Sequence, residues 1–330
     1  RGHGPPARRA PRRWASAARR RAPRRRRAPG RTGPGCTGRE GRGLRCGSGS
    51  SDDSQTSLGN KEIEIPYIAS DNSTPRSLVI AEVLKKAGYD VTTTPVTASG
   101  PLYTAVSENS DSFHASGIFP TTDKSYYDKF KSKLTIYDDK HLIDNAKVGL
   151  AVPKYVQDVD SISDLKNSDF GKSVDWAIQG TDARNGVMQE TKDELDSDNL
   201  DKYSLKESSD QDQFKKIQSA FKQQEPIVFT SMEPSWFSKE LDVKMLKDPD
   251  NIYGNNNQHI DLVFNKNFKE AHPAAYTIAT RMADDWSKSD EDKLAKKIFV
   301  DNKNPEQVAK DYVDDNDNKV DEWLEGIETN

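Results

Sequence analysis

The residues of this chain that could perform chemistry are few and widely separated. No two of its five histidines (His3, His114, His141, His259 and His272) have the spacing of a metal-ligand pair. From residue 47 onward there is no G-x-S-x-G nucleophile elbow, no P-loop and no G-x-G-x-x-G. Acids are so abundant that carboxylate pairs arise by chance, so none can be assigned as a general acid and base. The sequence therefore predicts no catalytic residue, no cofactor and no metal site, and a protein that is not an enzyme.

The first 46 residues differ in composition from the rest of the chain. They contain 16 Arg, no Lys and one acid, Glu40, whereas residues 47–330 carry 33 basic and 52 acidic side chains. A segment this rich in Arg, Pro and Gly cannot bury enough apolar surface to offset its chain entropy, so residues 1–46 are predicted to be a disordered, foreign or mis-joined head. A transit segment and a nucleic-acid-binding tail are the weaker alternatives, and no nucleic-acid partner is expected.

Cys36 and Cys46 are the only cysteines, so the rest of the chain has no disulfide framework. Cys46 precedes a Ser/Asp/Gly-rich stretch, residues 47–60, which reads as a linker. A cysteine followed by such a tether is typical of a bacterial lipoprotein, although no apolar signal segment is evident before it. A lipid anchor at Cys46 and a chance cysteine in a linker both stay open. No apolar run is long enough to span a membrane.

Apolar periodicity predicts an α/β fold from residue 61. Ile63, Ile65 and Tyr67 alternate with acids as in a strand, residues 76–87 have a helical apolar face, and residues 89–96 read as the next strand. A β-α-β order implies parallel strands with helices packed on them. Pro305 after Asn304 predicts the start of a C-terminal helix. The 270 residues from 61 suit two α/β lobes.

Aromatic residues recur in loops that follow predicted strands, where open α/β sheets place their ligand crevices. Aromatic ring faces attract a cationic ammonium group, and a helix N-terminus or an Arg can hold a carboxylate. The pattern favours binding of a small polar molecule over catalysis.

Several stretches, in their order and spacing, carry a resemblance to a known family. They are VLKKAGYDV (83–91), YYDKF (126–130), VGLAVPKYV (148–156), IVFT (227–230), LKDP (246–249) and PEQVAK (305–310). From about Lys61 to Ile327 the chain resembles the glycine betaine/proline betaine (osmoprotectant) binding proteins of ABC importers. The resemblance implies a type II periplasmic-binding-protein-like fold, in which each lobe is a mostly parallel sheet flanked by helices.

The implied organisation is a first lobe from residues 61–150 and 260–330 and a second from residues 151–259. The hinge is expected near Ala151 to Pro153 and at a second crossing within residues 245–262. The implied function is that of an extracytoplasmic, lipid-anchored, monomeric subunit that captures a quaternary-ammonium or zwitterionic solute and delivers it to a membrane permease with its ATPase. The alternatives are a sensory or adhesion module that kept the fold, and a binder of a different amino-acid-like ligand.

The pocket residues follow from the family's motifs. Where the family has Trp-x-Pro, this chain has Ile118-Phe119-Pro120, and where the family has Gly-Trp-x-Pro-His-Trp, this chain has 231–236, SMEPSW. Most of the tryptophan cage is thus replaced, so the ligand can differ from glycine betaine in its charge pattern. An apparent insertion within residues 179–188 brings in an Arg. The candidate ligand-binding residues are Ser73, Thr74, Tyr103, Ile118, Phe119, Thr181, Asp182, Arg184, Met232, Glu233, Ser235 and Trp236.

Overall fold

The predicted β-α-β unit opens the fold. A computed structural model describes residues 55–196, 200–254 and 257–328. Strand β1 (Glu62–Ile68) pairs in parallel with β2 (Asp90–Val96), and helix α1 (Ser73–Ala87) connects them. The helix ends at Gly88, whose φ of 106° lies in the left-handed region that glycine adopts without a Cβ clash. It begins at Ser73, slightly before the predicted start.

The remaining strands form one sheet of order β3-β10-β5-β8-β6-β7, with β4 paired to β10 and β9 paired to β5. They are β3 (Phe113–Phe119), β4 (Leu134–Ile136), β5 (Ile143–Pro153), β6 (Ala177–Gln179), β7 (Ser204–Lys206), β8 (Val228–Glu233), β9 (Val243–Met245) and β10 (Gln258–Asn265).

Strand β5 belongs to both halves of this sheet. Its first part pairs antiparallel with β10 at Ile143 and Ala146, and its next part pairs antiparallel with β8 from Lys147 to Ala151. The pairs that β6 makes with β7 and β8 are parallel. Among the described residues, every antiparallel pair involves β5, the strand that belongs to both halves, or its neighbour β10.

Helices cover the sheets. After α1 come α2 (Ser99–Glu108), α3 (Lys124–Phe130), α4 (Ser168–Ser173), α5 (Gly186–Asp196), α6 (Asp210–Gln223), α7 (Trp236–Glu240), α8 (Phe268–Ala271), α9 (Pro273–Asp285), α10 (Lys288–Ala295), α11 (Pro305–Asp315) and α12 (Asp317–Leu324), with a 3-10 turn at Ile162–Lys166 and a π-helical turn at Lys296–Val300. The predicted C-terminal helix start is confirmed, because Pro305 occupies the first turn of α11 and the Asn304 side chain accepts a hydrogen bond from the Gln307 amide at 2.8 Å. None of the described helices is both long and apolar enough to cross a bilayer.

Four apolar clusters lie in the described chain, and the two largest fall in different halves of it. One core draws on residues from Leu58 to Ala146 and from Ile260 to Ile327, and the larger core of the other half runs from Val148 to Tyr253. We call these halves lobe 1 (55–146 and 257–328) and lobe 2 (147–196 and 200–254). The cores change over near the boundaries expected at 150/151 and 259/260, which stay predictions.

The expected head, residues 1–46, lies outside the described residues, and so do Cys46 and most of the expected linker. The described end of that linker is packed. Leu58 is buried, the Thr56 amide donates to the Gly326 carbonyl at 2.8 Å, and the Glu328 amide donates to the Thr56 carbonyl at 3.0 Å. Ordered contacts therefore begin before Lys61, because Leu58 supplies an apolar side chain that lobe 1 can bury.

A buried ion pair ties α1 to α10. The Arg76 guanidinium donates from Nη1 to Glu291 Oε2 at 2.7 Å and to the Asn72 carbonyl at 3.2 Å, and its Nε donates to the Ala115 carbonyl. Trp286 Nε1 donates to the same Glu291 oxygen at 2.8 Å. Both charged side chains are essentially inaccessible to solvent. Since a buried charge is tolerated only when it is paired, each partner depends on the other.

Replacing Glu291 with Gln is expected to lower the free energy of unfolding by about 3 to 5 kcal/mol, because it leaves the buried Arg76 charge uncompensated. The matched control is Glu82→Gln, which breaks the solvent-facing pair with Lys85 and should cost about 1 kcal/mol or less. Urea unfolding followed by circular dichroism measures both. Equal destabilisation by the two variants would contradict the role given to this pair.

Candidate ligand-binding cleft

A cavity of about 610 Å³ lies between the two lobes. Lobe 1 lines it with the turn 68–72 after β1, with Ser99, Ile118 and Thr122, and with residues of the π-helical turn and its exit. Lobe 2 lines it with Val148, the start of α5, the first turns of α6, the end of β8 and the start of α7. The ends of strands and the starts of helices thus converge there from both sides, as in other α/β ligand crevices.

Aromatic rings from both lobes meet at Trp236, the first residue of α7. Its ring is 4.4 Å from the Phe214 ring and 5.7 Å from the Phe237 ring, both in lobe 2. It also stacks on Phe299 of lobe 1, with ring centroids 5.2 Å apart and planes 23° apart. All four residues line the cavity. The cavity therefore has an aromatic wall to which each lobe contributes.

The charged residues that line the cavity are Asp71, Asp210 and Lys215. Asp71 Oδ1 accepts a hydrogen bond from the Ser73 amide at 2.7 Å, and desolvation raises the pKa of Asp71 to about 6. Desolvation also raises the pKa of Asp210, whose Oδ2 accepts from Ser70 Oγ at 2.8 Å. Two carboxylates against one ammonium give this part of the wall an excess of negative charge.

The lobes are in direct contact around the cavity. Asn72 Oδ1 of lobe 1 accepts from the Trp236 amide at 2.9 Å, and Asn185 Oδ1 of lobe 2 accepts from the Ser99 amide at 3.1 Å. Thr122 Oγ1 donates to Glu190 Oε2 at 3.0 Å. Burial raises the pKa of Glu190 to about 8. These bonds, with that between Ser70 and Asp210, describe a cleft whose two sides are closed on each other.

Five of the twelve sequence-predicted residues line the cavity. They are Ile118, Thr181, Met232, Ser235 and Trp236. The Ser235 side chain also caps α7 by accepting a hydrogen bond from the Ser238 amide at 3.3 Å. This cap fixes the start of the helix whose first residue is Trp236.

Four of the others are buried in lobe 1 and do not line the cavity. The Ser73 and Thr74 hydroxyls donate to the Ile68 carbonyl at 3.4 and 3.0 Å, so they hold the turn that carries Asp71. Tyr103 is fully buried with its hydroxyl 3.5 Å from Asp123 Oδ2, and the Phe119 ring packs edge-on against Tyr127.

The last three do not line the cavity either, and all three form ion pairs. The Arg184 guanidinium pairs with Asp182, which lowers the pKa of that carboxyl to about 2, and its Nη2 donates to Thr97 of lobe 1 at 2.9 Å. The Arg184 carbonyl accepts from Tyr126 and from the Gly100 amide of lobe 1. Glu233 pairs with Lys147 at 3.1 Å across β5 and β8. Arg184 thus joins the lobes beside the cleft.

Sequence reasoning missed several lining residues, namely Asp71, Asp210, Phe214, Phe237 and Phe299. Asp210 resembles an ordinary acid in the first turn of a helix, and Phe299 resembles a core residue of a C-terminal helix. The pairing of Phe237 with Trp236 in sequence was the one local signal available.

Comparison with known proteins supports the geometry. Residues 61–315 match the family model described as the substrate binding domain of ABC-type glycine betaine transport system. The glycine betaine/carnitine transport binding protein of Listeria monocytogenes is 32% identical over 162 residues, which are 48% of this chain and 53% of that protein. The match therefore spans about half the length of that curated relative.

Two solved structures share the fold. Lactococcal OpuAC in its closed, liganded conformation with glycine betaine is 28% identical, with a TM-score of 0.72 over 81% of this chain and 100% of that one. The glycine betaine/L-proline-binding protein of Borrelia burgdorferi is 26% identical, with a TM-score of 0.72 over 80% of this chain and 96% of that one. The predicted two-lobed α/β class and the predicted resemblance are confirmed. With a family match over most of its length and a cleft between two lobes, this chain belongs to the family of substrate-binding domains of ABC-type glycine betaine transport systems.

Proposed function

We propose that the protein is the extracytoplasmic solute-binding subunit of an ABC importer and that it captures a small quaternary-ammonium solute between its lobes. The observation that carries the proposal is the aromatic wall, in which Trp236 of lobe 2 stacks on Phe299 of lobe 1 beside a cavity of about 610 Å³. The carboxylates of Asp71 and Asp210 lie on the same cavity wall.

An ammonium group with fixed charge suits this wall for an electrostatic reason. The face of each aromatic ring is the negative part of its quadrupole, and a cation over it gains about 0.5 to 2 kcal/mol depending on desolvation. Methyl groups on the nitrogen add apolar surface that rings can cover, and they remove the N–H donors that would need acceptors. The tryptophan cage of the family is here replaced by one Trp and three Phe, which keeps ring faces while changing their positions.

Closure of the lobes is the step that ligand binding would drive. A solute held against Trp236 and Phe299 contacts both lobes only when they are together, so its binding free energy favours the closed state. The hydrogen bonds from Ser70 to Asp210 and from the Trp236 amide to Asn72 belong to that state. A closed form is the one expected to dock on the membrane permease and its ATPase.

The charges of the cavity favour a cation over a zwitterion. A carboxylate on the ligand needs a donor, and among the charged lining residues only Lys215 is basic. Asp71 and Asp210 instead attract positive charge, and either one can accept a hydrogen bond from a ligand hydroxyl. Within the quaternary-ammonium class, we propose hydroxylated cations such as choline alongside betaines, whose carboxylate would need Lys215 or a helix start as its donor.

The protein is proposed to act as a monomer that is held at the extracytoplasmic face of the membrane through an acylated Cys46. Cys46 lies outside the described residues, and the support is its small, polar sequence context alone.

Cys46→Ser is expected to move the protein from the membrane fraction to the soluble fraction when the chain is produced with a functional lipoprotein signal in a bacterial host. The matched control is Ser51→Ala in the stretch that follows Cys46, which should leave the distribution unchanged. Metabolic labelling with a fatty acid reports the modification directly. Equal labelling of wild type and Cys46→Ser would exclude this anchor.

Trp236→Ala is expected to weaken binding of the best solute by about tenfold or more, since tenfold corresponds to about 1.4 kcal/mol and the ring supplies both a cation contact and apolar surface. A panel of choline, glycine betaine, proline betaine, carnitine and proline is first ranked by thermal shift, because a ligand bound only by the folded state raises its stability. Calorimetric titration then gives the dissociation constants.

The control for this series is Phe221→Ala, an aromatic truncation in lobe 2 whose ring packs against Tyr155 and does not line the cavity. It should bind the solute as tightly as wild type. If no member of the panel stabilises the protein, the proposed solute class is wrong. If Trp236→Ala and Phe221→Ala weaken binding equally, the aromatic wall is not the binding site.

Cation affinity is expected to fall as the pH is lowered from 7.5 to 5. Desolvation raises the pKa of Asp71 to about 6, so the carboxylate is mostly charged at pH 7.5 and mostly protonated at pH 5. A proton on Asp71 removes the charge that attracts the cation. In Asp71→Asn the affinity at pH 7.5 should drop and its pH dependence should shrink, with Asp210 supplying the remainder. Calorimetric titration at both pH values measures this, and an affinity that rises at pH 5 would refute it.

A further inference from the structure

Two histidines stack over one buried carboxylate in lobe 1, outside the lining of the ligand cavity. His141 lies just before β5, and His259 and Asp261 lie on β10. The imidazole rings are parallel to within 20°, with centroids 3.7 Å apart. None of the three lines the cavity between the lobes. The solute-binding function leaves this cluster without a role.

The register of the strands explains how the cluster forms. His259 and Asp261 are two residues apart on one strand, so their side chains lie on the same face. Ile260, which lies between them, pairs with Ile143 of β5. His141 comes two residues before Ile143 in the chain, and this pairing brings it close to His259 and Asp261. The Asp261 side chain is inaccessible to solvent, whereas the two imidazoles are 28% and 26% exposed. The carboxylate thus forms the base of a site whose mouth is made by the rings.

The polar atoms of the cluster face each other more closely than their hydrogen bonds explain. His141 Nδ1 lies 2.6 Å from Asp261 Oδ1 and is hydrogen bonded to it. His259 Nδ1 lies 2.9 Å from Asp261 Oδ2, at ion-pair distance, but the two buried atoms do not meet with hydrogen-bond geometry. One carboxylate therefore has an imidazole nitrogen close to each of its oxygens, and only the contact with His141 is an aligned hydrogen bond.

We propose that His141, His259 and Asp261 bind a divalent transition-metal ion, of which Zn²⁺, Cu²⁺, Ni²⁺ and Co²⁺ are the candidates. One ligand atom from each residue lies within 4.8 Å of the other two. A donor set of imidazole nitrogens and a carboxylate oxygen binds these ions in preference to Mg²⁺ or Ca²⁺, which take oxygen ligands. The partly exposed rings admit the ion from solvent and can turn to reach it, and water completes its coordination. The ion would take one ligand atom from each of the three residues in place of their present contacts with one another.

The site binds a single ion and holds the stretch before β5 to β10, next to the strand β5 that continues into lobe 2. It involves no residue of the aromatic wall. Metal binding and solute binding are therefore separately measurable.

The test uses the full chain without an affinity tag, with Cys36→Ser and Cys46→Ser so that thiolates do not bind metal. Zn²⁺ is titrated by calorimetry at pH 7.5, and Co²⁺ is titrated by its visible absorbance, whose intensity reports the coordination geometry. One equivalent is expected. His141→Ala and His259→Ala should each weaken binding by at least about tenfold, and Asp261→Asn should do the same. Because the ligating imidazoles must be neutral, lowering the pH to 5.5 should also weaken it.

Asp314→Asn is the control for adventitious binding, since it removes an exposed acid that pairs with Lys310 outside the cluster. It should leave the titration unchanged. Absence of saturable binding, or binding that His141→Ala and His259→Ala leave intact, overturns the proposal. Should the buried Asp261→Asn fail to fold, the two partly exposed histidines decide the matter. Solute affinity is expected to be the same in His141→Ala as in wild type, so failure of the metal site leaves the proposed function standing.

Discussion

A single strand shared by two lobes is the constraint on which the rest of this structure depends. The first residues of β5 are hydrogen bonded to β10 of lobe 1, and from Lys147 the same strand is hydrogen bonded to β8 of lobe 2. Its backbone cannot leave either sheet without losing those bonds, so the lobes remain side by side whatever the state of the cleft. The apolar cores change over between Ala146 and Val148, at the same place along the strand.

Because β5 already joins the lobes, the free energy of closing the cleft depends on the contacts that form between them. The direct hydrogen bonds across the cleft are few and partly exposed, and bonds of that kind contribute only about 1 kcal/mol each net of water. The stack of Trp236 on Phe299 is one apolar contact between the lobes in the cavity wall, and Ile118 and Met232 each pack against the cores of both lobes. A ligand that inserts among these rings adds surface that both lobes bury, which is why the proposed solute couples binding to closure.

Lobe 1 buries charged side chains in two different ways, as an ion pair in its core and as the carboxylate of Asp71 at the cavity. Arg76 and Glu291 neutralise each other inside the core, and through the Asn72 carbonyl the same guanidinium holds the turn that carries Asp71. Asp71 itself has no such partner, and desolvation raises its pKa to about 6. The core thus fixes the position of a carboxylate while the cavity leaves its charge available to a cation. Elsewhere in the lobe, the cluster of His141, His259 and Asp261 concentrates polar atoms that the core does not neutralise.

The sequence by itself determined the local parts of this protein. Alternation in Ile63, Ile65 and Tyr67 predicted β1, Gly88 predicted the end of α1, and Pro305 after Asn304 predicted the start of α11, because each depends on dihedral preferences and nearest neighbours. The motif residues Ile118, Met232, Ser235 and Trp236 line the cavity, since Ile118 and Met232 lie near the ends of β3 and β8, and Ser235 and Trp236 come directly after β8. The predicted roles of Ser73, Thr74, Tyr103, Phe119 and Arg184 as ligand contacts stay predictions, and their observed contacts are within the protein.

Only the tertiary structure decided which distant residues share a surface. Phe299 enters the cleft because the π-helical turn after α10 faces α7, and no periodicity reports what an element of the other lobe will meet. His141 and Asp261 are 120 positions apart, yet His141 Nδ1 lies 2.6 Å from Asp261 Oδ1 because β5 pairs with β10, with a shift of register between Gln258 and Ile260. Spacing in sequence measures distance only along the chain. Sheet pairing between remote strands sets which residues line the cavity and which form the cluster of His141, His259 and Asp261.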